Sequence, residues 1–260
     1  MDKTKKPILI LKTGEPPSPV KAAHGDFDVW IAREMGVPAE ALAVAAVYQG
    51  DALPDPERLG GVIVTGSPGM VTAREDWSEA SAAWLASCVE NDSVPVLGLC
   101  FGHQLMAHGL GGEVGTNPRG RELGTVEVRF AAPASAPVPA PTSGAASEPV
   151  PALGPLFEAG AFPGQMSHVE SVLTLPKGAT VLAETDKEPH AALQFGPRQW
   201  GVQFHPEFNR EIIRGYIAAR REILVEEGAD PEAMSAGATE SSALSRILER
   251  FAEFVAVARA

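Results

Sequence analysis

Pro95-Val96-Leu97-Gly98-Leu99-Cys100-Phe101-Gly102-His103-Gln104 is the stretch on which the fold turns. A short apolar run leads straight into Cys100, and a helical pattern follows from Gln104 through Leu105, Met106 and Leu110. Gly98 and Gly102 stand two positions either side of the cysteine. A nucleophile on a sharp strand-to-helix turn needs small neighbours, because the turn is strained and crowded. Such a turn lifts a side chain out of the sheet and directs a helix N-terminus at it, which favours an anion there. A lone cysteine would be read as a small buried residue, and Cys88, in a helical apolar stripe, keeps that reading.

Working outward, other apolar runs of the same kind are Ile8–Leu11, Val44–Val47, Val62–Thr65, Val96–Leu99 and Val202–Phe204. Short, apolar and separated by helical patterns, they predict parallel strands covered on both faces. Trp77, Ala80, Trp84, Leu85 and Cys88 recur at helical spacing behind Asp76, the expected cap. Two further stripes run from Ile212 to Leu224 and from Leu244 to Val255. The alternation predicts an α/β fold, an open, mostly parallel doubly wound sheet with helices on both faces. Thr125–Phe130, Val169–Leu175 and Ala191–Phe195 alternate polar with apolar residues and predict a small antiparallel addition. Residues 131–151 are almost entirely Ala, Pro, Ser, Gly and Thr and have too little to bury, which predicts a mobile surface insertion. The expected organisation is one domain over residues 1–260, with extra C-terminal helices from about residue 209.

At the end of another strand stands Gly201-Val202-Gln203-Phe204-His205-Pro206-Glu207. In extended chain, residues i and i+2 face one side, and Pro206 biases His205 toward that conformation. His205 and Glu207 are therefore expected to project together above the carboxyl edge of the sheet, where ligand sites of open α/β sheets collect and where Cys100 also lies. A thiol nucleophile needs a base, and the base needs a group to fix its tautomer. His103, one helical turn past Cys100, is expected near the pocket; His24, His108 and His190 read as surface or helix residues.

The composition narrows the function. A net charge of -12, with basic residues clustered only at Lys3, Lys5 and Lys6, argues against a nucleic-acid partner. No run approaches the roughly 18 apolar residues of a membrane span. Two cysteines make no disulfide framework and no multi-cysteine metal site, so neither metal nor cofactor is expected and a cytoplasmic location is.

With these motifs the chain resembles the class-I glutamine amidotransferases with a Cys-His-Glu triad, and above all the amidotransferase part of GMP synthetase and its free-standing relatives. The resemblance runs from Ile8 to the helix after Glu207 and implies the flavodoxin-like amidotransferase fold. It implies Cys100 as nucleophile, His205 as base and Glu207 as its orienter, acting on the glutamine side-chain amide through a γ-glutamyl thioester. Val64-Thr65-Gly66-Ser67-Pro68-Gly69 looks like the family's oxyanion loop, which would pair the N–H of Ser67, or of Gly66, with that of Phe101. Relatives often carry Gly-Gly where this chain has Gly66-Ser67. Gln104 matches a substrate-holding glutamine, and Ser167 and His168 match a Met-Ser-His segment that meets the substrate's α-amino and α-carboxylate groups. The phosphate loop of an ATP-dependent synthetase does not occur in these residues. The resemblance therefore leaves three readings: ammonia delivery to a separate ATP-dependent synthetase subunit, free-standing hydrolysis of a γ-glutamyl amide or peptide, and a regulatory partner-binding module. An α/β-hydrolase is disfavoured because its acid precedes its histidine.

Overall fold

The computed structural model describes residues 6–130 and 154–257. The Ala/Pro-rich insertion expected at 131–151 lies outside the described residues. Along the first half run β1 (Ile8–Lys12), α1 (Ser18–His24), α2 (Phe27–Met35), β2 (Leu42–Ala46), β3 (Gly61–Val64), α3 (Asp76–Glu90), β4 (Val96–Leu99), α4 (Phe101–Gly109), β5 (Glu113–Thr116) and β6 (Glu122–Phe130). There follow β7 (Gly160–His168), β8 (Glu170–Thr174), β9 (Thr180–Glu184), β10 (Ala192–Gly196) and β11 (Gln199–Val202). The chain closes with α5 (Arg210–Ala219), α6 (Arg221–Glu226), α7 (Pro231–Ala236) and α8 (Ser242–Val257).

Nine strands form one sheet in the order β2-β1-β3-β4-β11-β10-β9-β6-β7. The five from β2 to β11 are mutually parallel, and from β10 onward the pairing is antiparallel. The antiparallel addition takes two forms: β10, β9, β6 and β7 extend the main sheet, while β5 and β8 pair apart from it. This is the expected α/β architecture.

Alternation along each parallel strand divides the core. Ile8, Ile10, Ile63 and Leu97 face Leu248, Phe251 and Val255 of α8; Leu9, Leu11, Val62 and Val96 face Leu85 and Cys88 of α3 and Leu105 of α4. Each fully buried side chain of this size contributes about 1.5–3 kcal/mol relative to exposure. A third cluster, of Phe27 and Trp30 with Phe208, Ile213 and Tyr216, packs α2 against α5 beside the sheet edge.

Some boundaries differ from expectation. Glu75, not Asp76, occupies the N-cap of α3 and makes no side-chain cap; Asp76 is the first helical residue, where its charge meets the helix dipole. Ser78, Ser81, Leu85 and Cys88 form the buried stripe of α3, while half-buried Trp77 stacks on Phe101 at 5.7 Å. The expected Val202–Phe204 strand is Gln199–Val202, and the next residues turn upward into the site. The 212–224 stripe breaks at Arg220, between α5 and α6.

Candidate active site

Three adjacent strands deliver the site. β3, β4 and β11 lie side by side, with Val64 opposite Gly98 and Leu99 opposite Val202. Their carboxyl ends place Gly66, Cys100 and Gln203–Glu207 at one edge, and Cys100 N donates to Val202 O across 2.8 Å.

Cys100 takes φ 49 and ψ -100, a backbone state that L side chains rarely adopt, before α4 begins at Phe101. The flanking glycines make this turn possible. A Cβ on Gly98 would lie 2.7 Å from the Gly102 carbonyl, and one on Gly102 would lie 2.7 Å from the Val64 carbonyl oxygen. Strain of this kind costs about 1–3 kcal/mol, and an internal glycine about 0.5–1 kcal/mol relative to alanine. Cys100→Gly is therefore expected to be more stable than Cys100→Ala, by about 1 kcal/mol on that balance. Denaturant midpoints check this; a glycine variant of equal or lower stability would mean that the turn stores no strain.

His205 and Glu207 come together as expected and both are buried, but on a turn closed by Phe208 N donating to His205 O at 3.3 Å rather than along extended chain. His205 Nδ1 donates to Glu207 Oε1 at 2.8 Å. Burial disfavours the imidazolium, but the Glu207 carboxylate, and then Cys100, outweigh it and hold the His205 pKa up at about 10. The ring is also clamped: Phe208 stacks on it at 4.0 Å, and Phe27 flanks it at 6.5 Å. His205 N donates to Gln165 O at 2.8 Å, tying this turn to β7.

Gly66 is where imidazole and sulfur come together. A Cβ built there would lie 2.8 Å from His205 Cε1 and 3.8 Å from Cys100 Cβ. Gly66→Ala is expected to push the imidazole off line and lower kcat by about a hundredfold, the scale of an ångström of misplacement. Steady-state kinetics checks this, and unchanged kcat would show that the ring has room to move.

Ser67 N–H donates to no protein acceptor among the described residues, and Phe101, first in its helix, has an N–H without an intrahelical acceptor. Both residues line the same cleft as Cys100. Thr13 Oγ1 sets the loop, donating within 3.0 Å of the Thr65 and Gly66 carbonyls.

The cleft is lined by Ser67, Met70, Cys100, Gln104, Ser167 and Glu170, among others, with Arg121 and Arg220 on its wall. Gln104 spends its amide nitrogen on Glu170 O at 2.7 Å and Gln203 Oε1 at 2.9 Å. Ser167 O lies 3.8 Å from Cys100 Sγ. His168 turns its ring into the protein, Nδ1 to Glu170 O at 2.9 Å and Nε2 to Glu122 at 3.2 Å, so only its backbone is left for a ligand.

His103 does not reach the cleft. It is fully buried beneath Gly201, neither ring nitrogen has a hydrogen-bond partner among the described residues, and burial, then His190, pushes its pKa down to about 3. Its place one turn along α4 aims it at the sheet rather than past the sulfur.

The sequence reading missed Gln203, whose Nε2 donates to Cys100 Sγ at 3.4 Å. Its signal was present, since period two puts residues 201, 203 and 205 on one face. Phe208, Thr13, Arg121 and Arg220 were also missed. Among the described residues no group of three His, Cys, Asp or Glu side chains could hold a metal ion, and no helix there is long and apolar enough to cross a membrane.

The family model for class-I glutamine amidotransferases matches residues 47–217. A GMP synthase (glutamine-hydrolysing) of Aeropyrum pernix is 35% identical over 193 residues, which cover 72% of this chain and 32% of that protein. The chain thus spans about a third of that relative's length. Gamma-glutamyl peptidase 5 of Arabidopsis thaliana is 28% identical over 216 residues, covering 82% of this chain and 80% of that protein. A solved glutamine amidotransferase from Thermotoga maritima superimposes with a TM-score of 0.69 at 19% identity, covering 96% of this chain and 98% of its own, which speaks for the fold alone. With the family model matched across both motif strands, the chain belongs to the class-I glutamine amidotransferases, a family of enzymes.

Proposed function

We propose that this chain hydrolyses the side-chain amide of glutamine through a γ-glutamyl thioester on Cys100. The observation that carries the reading is the buried His205–Glu207 pair at 2.8 Å, held beside a cysteine on a strained turn. The Cys100 sulfur adds to the γ-carboxamide carbon, and the carbonyl electrons move to oxygen, where the N–H groups of Ser67 and Phe101 meet the charge, with that of Gly66 in reserve. The oxyanion collapses, the C–N bond breaks, and the nitrogen leaves as ammonia with a proton from His205. Water then adds to the thioester, gives its proton back to His205, and glutamate leaves as the sulfur is released. Glu207 holds the Nδ1–H tautomer and offsets the imidazolium charge. Gln104, Ser167 and the backbone of His168 hold the amino-acid end. Residues 1–260 act as one amidotransferase domain, and a separate ATP-dependent synthetase subunit consumes the ammonia.

A second reading keeps the chemistry and changes the leaving group to an amino acid or peptide. It is favoured by the match in length to the Arabidopsis peptidase, of which 80% is covered. Glutamate release from glutamine and from γ-glutamyl dipeptides, compared as kcat/KM, tests both. Preference for dipeptides would replace the first reading with the second, and release from neither would overturn both in favour of a regulatory, partner-binding role.

A further inference from the structure

Two guanidinium groups face the cleft that holds Cys100, and they are not equivalent. Arg121 is neutralised, its Nε and Nη2 donating to the Glu227 carboxylate at 3.0–3.2 Å. The cleft's carboxylate, Glu170, is buried and engaged by Val71 N at 2.7 Å and by Thr72 Oγ1. Arg220 has neither kind of partner: among the described residues its side chain makes no ion pair and no hydrogen bond, and its guanidinium carbon rests over the Tyr216 ring at 5.1 Å. It is partly buried where α5 stops and α6 starts, so a break in the helix aims the side chain at the cleft. A cation at a helix C-terminus is ordinary. One that is partly desolvated, lies on a ring and lines the reaction cleft without a carboxylate partner among the described residues is not.

We propose that Arg220 binds a carboxylate of the γ-glutamyl substrate and so orients it in the cleft. The planar guanidinium suits a carboxylate, which it can hold through two parallel N–H donors. Burial pulls the Arg220 pKa below the ordinary arginine value, with Tyr216 and Cys100 opposing the shift and Arg121 adding to it. The carboxylate has two sources: the α-carboxylate of the γ-glutamyl group, or a carboxylate on the leaving amine. This assignment rests on the proposed amide hydrolysis for its meaning, but part of its test does not.

The test uses the full chain with Arg220→Gln and Arg220→Lys, which keep the aliphatic stem, against γ-glutamylglycine and its neutral counterpart γ-glutamylglycinamide. Arg220→Gln is expected to lower kcat/KM about tenfold to a hundredfold, mainly through KM, as for a lost charge-assisted pair. Arg220→Lys should fall between. Loss on γ-glutamylglycine alone assigns the leaving-group carboxylate; equal loss on both assigns the α-carboxylate; loss on neither overturns the proposal. A second readout needs no hydrolysis: the ratio of Cys100 alkylation rates by anionic iodoacetate and neutral iodoacetamide, with free cysteine in solution as the reference. Arg220→Gln should lower that ratio severalfold. If both rates fall together, Arg220 only supports the sulfur and the proposal fails, whether or not the protein hydrolyses glutamine.

Discussion

Cys100→Ala should lower glutamate release from glutamine by on the order of 10⁴-fold or more, because the covalent route disappears with the sulfur. The backbone gives the variant little reason to unfold. Alanine meets the same φ of 49 as cysteine, and the lost sulfur leaves a cleft rather than a packed core. Cys88→Ala is the counterpart with the opposite profile. Cys88 is fully buried between α3 and the sheet, and burial, eased slightly by Ser93, pushes its thiol up to about 11. Its loss should cost about 1 kcal/mol or more of stability through the void it leaves, with kcat unchanged. Acid quenching of the parent protein during turnover should trap a γ-glutamyl adduct on the peptide that contains Cys100. Activity of Cys100→Ala within tenfold of the parent would show that water attacks directly and that the cysteine is a bystander.

The parts of this site that were legible in sequence are those whose geometry is local. Gly98-Leu99-Cys100-Phe101-Gly102 carries its own turn, because the two glycines answer clashes with the Gly102 backbone and with the adjacent β3. His205 and Glu207 were expected together from a period of two, but the chain has left the strand by then, and they meet on a tight turn that Phe208 N closes onto His205 O at 3.3 Å. Gln203 was passed over because a neutral amide gives no chemical signal alone. Arg220 and Arg121 could not be found this way. One sits at a helix break and the other just before β6, and only the packing of α5 beside the sheet edge brings them to one cleft. The helices α1 and α7 are too short for a periodic stripe, although α7 carries a local start signal, with Asp230 accepting from Glu232 N and Ala233 N at 3.0 Å ahead of Pro231. α2 had a readable frame: Asp26 caps it by accepting from Phe27 N at 2.7 Å, and Gly36 ends it at φ 64.

Glu207→Gln separates orientation from charge at the histidine, and it should lower kcat by roughly 10²–10⁴-fold with little change in KM. A glutamine can still accept from His205 Nδ1–H through its amide oxygen, so the tautomer can survive. What it cannot supply is the negative charge that offsets burial and, with Cys100, holds the His205 pKa up at about 10. The second carboxylate oxygen of Glu207 is buried without a hydrogen-bond partner among the described residues, so the charge is spent on the imidazole alone. Stability should report the same change with a definite sign. Between about 6.5 and about 10 the folded protein keeps a proton on His205 that the unfolded chain gives up, so the pair's contribution is whole below that window and lost as pH rises through it. Removing the carboxylate lets burial dominate and brings the folded pKa down, so the decline in Tm with rising pH should flatten in Glu207→Gln. A variant with parental kcat would remove Glu207 from the mechanism. One with lowered kcat but the parental slope of Tm against pH would leave it as an orienter only, with the imidazolium stabilised from elsewhere.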